Sequence, residues 1–231
     1  MSLAATLAGA AAARSQAYWL LSRLLLEPPD ESFVRELGDF FSSVAGGLGP
    51  ELAPSVNDFA ACARGLSGRP VGTEIAVDFT RLVSGISPRE GPPPVESAVR
   101  EGRALGEATA AVAIAYAEAG FPEPLPEVGP PDHAATELRF MALCCHAESR
   151  AWGAGDVGAG GAWLMRERAF LADHLADWLP AFCEAAANRA AARLYSTGFR
   201  LIAAMLPTDL VDAREMLAQV DRVTALPSAP T

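Results

Sequence analysis

Apolar residues recur at helical spacing along almost the whole chain of 231 residues. Alternating apolar and polar residues, the pattern typical of strands, are nearly absent. Clusters of glycine and proline interrupt the helical pattern at residues 46–50, 87–94, 120–131 and 153–161. The sequence therefore predicts an all-α bundle of about nine helices, over residues 3–26, 30–44, 55–64, 74–83, 95–119, 132–152, 162–172, 180–187 and 189–206.

A proline-rich stretch at residues 121–131 is longer than an ordinary connection between packed helices. Because proline-rich segments are extended and stiff, we expect a hinge here between an N-terminal lobe, residues 1–120, and a C-terminal lobe, residues 132–224. The last residues, 225–231, are expected to fray. Such a hinge would allow two chains to exchange lobes, so we expect a monomer or a lobe-exchanged dimer.

The end of this stretch forms a rigid turn that leads into a helix. Proline fixes its own backbone and disfavours helical geometry in the residue before it, so Pro130 and Pro131 close the loop. Asp132 is then the predicted N-cap of the helix, and His133 is predicted to lie in its first turn. Two interpretations remain open here: a cap followed by a surface histidine, or a polar recognition point.

Composition and charge exclude several classes of function. A content of 51% hydrophobic and 20% charged residues supports a compact core. The net charge of −10 argues against binding to nucleic acid or to an anionic membrane. No uncharged apolar run approaches the roughly 18 residues of a membrane span, and no basic residue precedes the apolar segment 3–13 as it would in a signal peptide. We expect a cytoplasmic protein without membrane insertion.

Several sequence patterns could suggest metal, cofactor or catalytic chemistry, but each lacks the geometry or the accompanying residues that the chemistry requires. Cys144, Cys145 and His146 are consecutive on a predicted helix, so their side chains point about 100° apart and cannot share one ion. Residues 153–158 match a dinucleotide-binding pattern, but a helix precedes them where that fold requires a strand. No nucleophile motif accompanies the three histidines. We therefore expect no metal, no cofactor, no catalytic residue and no enzymatic activity.

Acidic residues dominate the region around the turn. Between residues 107 and 148, seven acids stand against the single Arg139; the acids are Glu107, Glu118, Glu123, Glu127, Asp132, Glu137 and Glu148. Carboxylates bind guanidinium groups through charge-assisted, often bidentate hydrogen bonds, and a groove between helices accepts an amphipathic helix. The sequence predicts an acidic surface that attracts an arginine-bearing, partly apolar peptide.

Four sequence blocks, in order, resemble those of a known family. The blocks are Tyr18–Leu25 with Glu27–Asp30, Asp78–Val83 with Pro94–Ser97, Pro130–His133, and Phe170 with His174–Pro180. The third block is similar to the family's Glu-Pro-x-Asp-His turn, with Gly129 in the position of the glutamate. On these blocks the chain resembles the TorD/DmsD/NarJ family, cytoplasmic chaperones that mature molybdenum-containing oxidoreductases.

The resemblance implies a non-enzymatic chaperone. Its partner would be the catalytic subunit of a molybdenum-containing oxidoreductase, bound through its twin-arginine leader peptide or as the apo form, so that cofactor insertion is assisted and export is delayed. Carried over residue by residue, the expected leader-binding residues are Asp132, His133, Pro130, Arg81, Leu82, Glu96 and Ser97. Two alternatives stay open: a helical adaptor for another partner, and a helical enzyme that uses Asp132 and His133 as an acid–base pair.

Overall fold

A computed structural model describes residues 2–84, 91–125 and 129–224, apart from the side chains of residues 223 and 224. Within these ranges the fold is all-α, as predicted, and strand-like pairing is limited to one isolated bridge between Val95 and His133. The helices are α1 (Leu3–Leu24), α2 (Glu31–Val44), α3 (Ala53–Leu66), α4 (Thr73–Asp78), α5 (Glu96–Arg100), α6 (Glu107–Glu118), α7 (Ala134–Gly153), α8 (Val157–Phe170), α9 (Ala176–Ala187) and α10 (Arg193–Thr224). The tail expected to fray, residues 225–231, lies outside the described residues.

Two of these helices continue into wider turns. A π-helical turn over Phe79–Val83 extends α4, and another over Leu171–Leu175 joins α8 to α9. None of the helices in the described ranges is both long enough and apolar enough to cross a membrane.

The helices pack around one cluster of buried apolar side chains that extends from Tyr18 in α1 to Leu206 in α10. Helix α1 lies along α7, α2 packs on α3, and α9 packs on α10. In the centre, the ring centroid of Phe140 lies 4.7 Å from that of Tyr116 and 4.6 Å from that of Phe170. The core thus draws on residues from both predicted lobes, and the division at residues 121–131 stays a prediction.

The single helix predicted over residues 95–119 is wrong, because the structure has two short helices there. Helix α5 ends at Arg100, and the next residues include Gly102 at φ 73° and Leu105 at φ 60°, which are left-handed conformations incompatible with a continuing helix. The Glu101 carboxylate then accepts hydrogen bonds from the amides of Glu107 (3.1 Å) and Ala108 (2.9 Å). It therefore caps α6 in place of a side chain from the helix's own first residues.

The loop predicted over residues 153–161 is largely helical. Asp156 accepts a hydrogen bond from the Ala159 amide at 2.9 Å and so caps α8, which begins at Val157. The glycines within α8 lower its intrinsic helix propensity, but one of them is required by packing. A β-carbon at Gly160 would lie 2.5 Å from the Trp152 ring, so only glycine allows α7 and α8 to approach this closely.

Helix α10 is much longer than the predicted range 189–206, because it passes through Pro207 instead of ending there. Proline removes one helical hydrogen bond, which was the basis for the predicted end. Tertiary contacts maintain the helix beyond it. Ala213 is buried, and Val220 packs with Leu7 and Trp152 in a second apolar cluster.

A buried ionic network joins α1, α7, α8 and α10. The Arg14 guanidinium pairs with Glu148, with Glu167 at 2.9 Å and with Asp209 at 3.1 Å. The network also holds Tyr18, whose hydroxyl donates to Asp209 at 2.6 Å. Three carboxylates around one guanidinium leave an excess of negative charge in a region shielded from water, where unpaired charge is costly.

Burial and this excess of negative charge shift the pKa values of the acids toward the protonated form. Burial raises the pKa of Glu167 well above its usual range, and the neighbouring Arg14 charge only partly opposes the shift. Burial likewise raises the pKa of Glu148, again against Arg14. A carboxyl whose pKa is higher in the folded than in the unfolded chain stabilises the fold at low pH, and this contribution is lost as the pH rises through the folded pKa.

Replacing Glu167 by glutamine should therefore change the pH dependence of stability. The parent loses stability as Glu167 ionises, whereas an amide cannot ionise. The free energy of unfolding of Glu167→Gln should therefore increase relative to that of the parent as the pH rises from about 5 to about 8, by at most about 1.4 kcal/mol per pH unit. Urea denaturation across this range measures the difference. Glu51→Gln is the control, since Glu51 is exposed. A difference between Glu167→Gln and the parent that does not vary with pH would contradict this account of the network.

Candidate functional site

The turn before α7 is joined to the segment before α5 by paired backbone hydrogen bonds. The Glu96 amide donates to the Asp132 carbonyl, and the Ala134 amide donates to the Pro94 carbonyl, both at 2.8 Å. These bonds form the isolated bridge between Val95 and His133. Two of the blocks that carry the family resemblance are thus neighbours in space.

Asp132 links these two segments through its side chain as well. Its carboxylate is fully buried and accepts a hydrogen bond from the Ser97 amide at 2.8 Å. Ser97 is the second residue of α5, and the N-cap of that helix, Val95, has no side-chain acceptor. Asp132 therefore satisfies an amide that the short helix α5 cannot satisfy itself.

The prediction that Asp132 caps α7 is wrong, because His133 has this role. The His133 amide donates to the Pro130 carbonyl at 3.1 Å, which closes the turn one residue later than predicted. The His133 ring then accepts a hydrogen bond from the Ala135 amide at its Nδ1, at 3.1 Å. Histidine is an uncommon cap, and the carboxylate expected in its place points to α5.

The electrostatics of His133 agree with this role. Burial lowers its pKa to about 4, although the nearby Asp132 charge and a hydrogen bond with the Val83 backbone favour the protonated form. At neutral pH the ring is therefore uncharged, as an acceptor at Nδ1 must be. The bond with Val83 also places the ring beside the end of the π-helical turn that contains Leu82.

Glu96 makes a second set of buried contacts next to the turn. It is fully buried, pairs with Arg100, and lies 3.0 Å from the Nδ1 of His174. Arg100 reaches outward from Glu96 to Asp177, at 3.2 Å. The first residue of α5 thus fixes a guanidinium and an imidazole that lie closer to the surface.

Glu137 completes the group, and we term Asp132, Glu96 and Glu137 the buried acid cluster. Glu137 accepts a hydrogen bond from the indole of Trp178 at 3.2 Å. Burial raises the pKa of Glu137, and the neighbouring Glu96 charge raises it further. One carboxylate oxygen of Asp132 and one of Glu137 have no hydrogen-bond partner among the residues that the structure describes.

A groove opens next to the buried acid cluster, with a volume of about 550 Å³. We term it the acidic groove; it is lined by Arg100, Glu101, Glu107, Ala108, Ala111, Asp173 and His174. A neighbouring cavity shares Asp173 and His174 and extends past Glu118 toward Phe140 and Phe170. Together the two cavities follow one face of α6. Ile114 lies one helical turn from the lining residues Ala111 and Glu118 and is 59% exposed.

Charge in the acidic groove is unbalanced. Arg100 is already paired with Glu96 and Asp177, and Glu101 accepts two backbone amides. Across the described residues, the side chains of Glu107 and Asp173 form neither a hydrogen bond nor an ion pair. These carboxylates can therefore accept hydrogen bonds from a cationic ligand without breaking a contact.

The residues predicted to bind a leader peptide differ in accessibility. Four are buried: Asp132, Glu96, Ser97 and Leu82. Pro130 and His133 are partly exposed beside the turn. Arg81 is also partly exposed and pairs with Asp78 at 3.2 Å. The structure joins Asp132, Glu96 and Ser97 directly, and it places His133 next to the turn of Leu82.

The predicted acidic surface is only partly correct. Glu107, Glu118 and Glu123 are exposed, but Asp132, Glu137 and Glu148 are buried, where they bond to neighbouring groups instead of facing solvent. Glu127 lies outside the described residues. The prediction also missed Glu101 and Asp173, which line the groove. A signal for Glu101 was present, since it directly precedes Gly102 at the break between α5 and α6.

Removing the Asp132 carboxylate should destabilise the fold. Asp132→Ala should lower the free energy of unfolding by about 1–3 kcal/mol, because the buried Ser97 amide loses its acceptor. Asp132→Asn keeps an oxygen acceptor and should lower the free energy of unfolding by a smaller amount. Urea denaturation provides the measurement, and Asp156→Ala, which removes an exposed cap, is a control expected to cost about 1 kcal/mol. Parent-like stability of Asp132→Ala would show that the bond contributes nothing.

Comparison with known proteins places these features in a family. The family model of the nitrate reductase delta subunit matches residues 49–184. The chain is 30% identical over 203 residues to chaperone protein TorD of Photobacterium profundum, covering 85% of this chain and 92% of that relative. No solved structure gives a significant match. The chain therefore belongs to the nitrate reductase delta subunit family, the group of TorD-like chaperones that its four sequence blocks resemble.

Proposed function

We propose that this protein is a cytoplasmic, non-enzymatic chaperone for the catalytic subunit of a molybdenum-containing oxidoreductase. It binds the twin-arginine leader peptide of that subunit, or its apo form, and delays export until the cofactor is inserted. Family membership and the similarity to a protein named as a chaperone support the general role. The leader as the ligand is supported by the chemistry of the acidic groove.

The single observation that carries the proposal is the set of unpaired carboxylates in that groove. Glu107 and Asp173 face a space of about 550 Å³, next to an Arg100 that is already engaged. Two adjacent arginines of a leader could each bind a carboxylate, while the apolar part of the leader packs on the exposed Ile114 side of α6. Both halves of such a leader therefore have a complementary surface.

In this proposal the buried acid cluster positions the groove, whereas the exposed residues contact the peptide. Glu96 holds Arg100 and His174 in the groove wall, and Asp132 holds the start of α5, which carries Glu96. Pro130, His133 and Arg81 are accessible enough to touch a ligand. Leu82 and Ser97 support the same region from within the core.

The competing proposal of an enzyme has little structural support. An acid–base pair requires Asp132 to hold the His133 ring, but the carboxylate bonds to the Ser97 amide, while the ring bonds to the backbone of Ala135 and Val83. An adaptor for another partner would use the same surface. It differs from the proposed chaperone only in its ligand, so the ligand decides between them.

Calorimetry with a synthetic leader peptide tests the proposal. The parent should bind a peptide with two adjacent arginines followed by an apolar stretch. The double variant Glu107→Gln with Asp173→Asn should bind it about tenfold more weakly, since each lost ion pair costs up to about 1 kcal/mol. His133→Ala should also weaken binding. The matched control is Glu51→Gln with Asp58→Asn, which changes the net charge equally at exposed positions outside the groove.

The peptide has its own control, in which glutamines replace the two arginines. Binding that is indifferent both to this exchange and to the groove variant would refute the site. If the parent binds no such leader at all, the ligand is wrong and the adaptor alternative gains support.

A further inference from the structure

A separate cavity of about 120 Å³ lies among α1, α2, α3 and α10, and it shares no lining residue with the acidic groove. Its walls are mainly apolar and include Phe40, Val44, Leu48, Leu52, Leu201 and Met205. Several of these side chains are only partly buried, so the cavity is open to solvent. Sites for drug-sized molecules measure about 300–1,000 Å³, whereas this volume matches one large side chain.

The cavity exists because α1 presents small side chains where it faces α2. Helix α1 contributes Ala13 and Ala17 to the lining, and it packs along α7 far more extensively than along α2. Small side chains on one wall and large ones on the other leave a cleft that the protein does not fill itself. A ligand side chain that covers these apolar walls would be stabilised by the hydrophobic effect.

One end of the cavity is acidic. Arg14 and Asp209 line it, but they are bonded to each other at 3.1 Å within the ionic network, and Tyr18 donates to Asp209. Asp212 lies one turn further along α10, and among the described residues it has no hydrogen bond or ion pair. Partial burial raises the pKa of Asp212, and the Asp209 and Glu215 charges add to the shift, while the Arg14 charge opposes it. The acids Asp209 and Asp212 thus outnumber the single Arg14 at this end of the cavity.

We infer that this cavity, termed the Asp212 pocket, binds a peptide segment of a partner protein that presents one large apolar side chain next to a basic residue. The apolar side chain fills the cavity, and the basic residue pairs with the Asp212 carboxylate. Charge complementarity favours this ligand, because a basic residue beside the apolar one gains an ion pair with Asp212, whereas a purely basic segment leaves the apolar walls in water. The site is independent of the acidic groove and of the proposed leader binding.

Fluorescence anisotropy with a labelled, end-capped peptide containing Leu-Phe-Arg tests the inference. The parent should bind this peptide more tightly than peptides containing Leu-Phe-Gln or Ser-Ser-Arg in the same positions. Asp212→Asn should weaken binding about two- to fivefold, the effect of one partly exposed ion pair. Ala17→Leu should weaken it about tenfold, because the new side chain occupies the cavity from the protein side. Asp58→Asn, an exposed aspartate outside the pocket, should bind like the parent.

Two outcomes would overturn the inference. In the first, Asp212→Asn and Ala17→Leu, both shown to be folded by circular dichroism, bind the peptide as the parent does. In the second, the double variant Glu107→Gln with Asp173→Asn abolishes binding, which would assign the peptide to the acidic groove. Leader binding is tested separately, with the peptide that carries two adjacent arginines and with its glutamine control.

Discussion

The hydrogen bond from the Ser97 amide to the Asp132 carboxylate holds together the region on which the proposed function depends. Helix α5 has only five residues and could not persist alone, because a helix this short does not recover the cost of its nucleation. Its start is fixed by Asp132 and by the bridge between Val95 and His133. Once α5 is fixed, Glu96 can hold Arg100 and His174, so one buried carboxylate determines the shape of the acidic groove.

Excess buried acid recurs in this protein. The Arg14 network places three carboxylates around one guanidinium. The buried acid cluster contains three more, of which Glu96 pairs with Arg100 and lies beside His174. Burying such groups is costly unless they are bonded or protonated, and burial accordingly raises the pKa of Glu137, Glu148 and Glu167. Only the exposed acids can therefore contact a ligand. The net charge of −10 overstates the negative charge that a bound peptide would encounter.

The fold class and most helix positions could be predicted from the sequence because apolar spacing dominates them. Helix α7, predicted over residues 132–152, spans Ala134–Gly153 in the structure. The errors occur where a distant residue decides the outcome. Val220 and its apolar neighbours sustain α10 beyond Pro207, and Trp152 explains a glycine inside α8. The neighbouring residues in the sequence do not reveal such distant packing partners.

The candidate site was likewise only partly predictable from the sequence. The sequence blocks named Asp132, His133, Glu96 and Ser97, and the structure brings Asp132, Glu96 and Ser97 into contact through one carboxylate and one bridge. Their orientation could not be predicted, because whether a carboxylate caps its own helix or a neighbouring one depends on tertiary packing. Glu101 follows the end of α5 and Asp173 lies in the π-helical turn after α8, so their meeting in one groove depends on the folded chain and could not be predicted.

Amide hydrogen exchange of the folded Asp132→Ala variant tests the central claim most directly. If the Asp132 carboxylate holds the start of α5, the amides of residues 96–101 should exchange about tenfold faster or more than in the parent, while those in the middle of α7 keep their protection. Unchanged protection of the Ser97 amide would show that α5 is held by other contacts. The acidic groove would then not depend on Asp132.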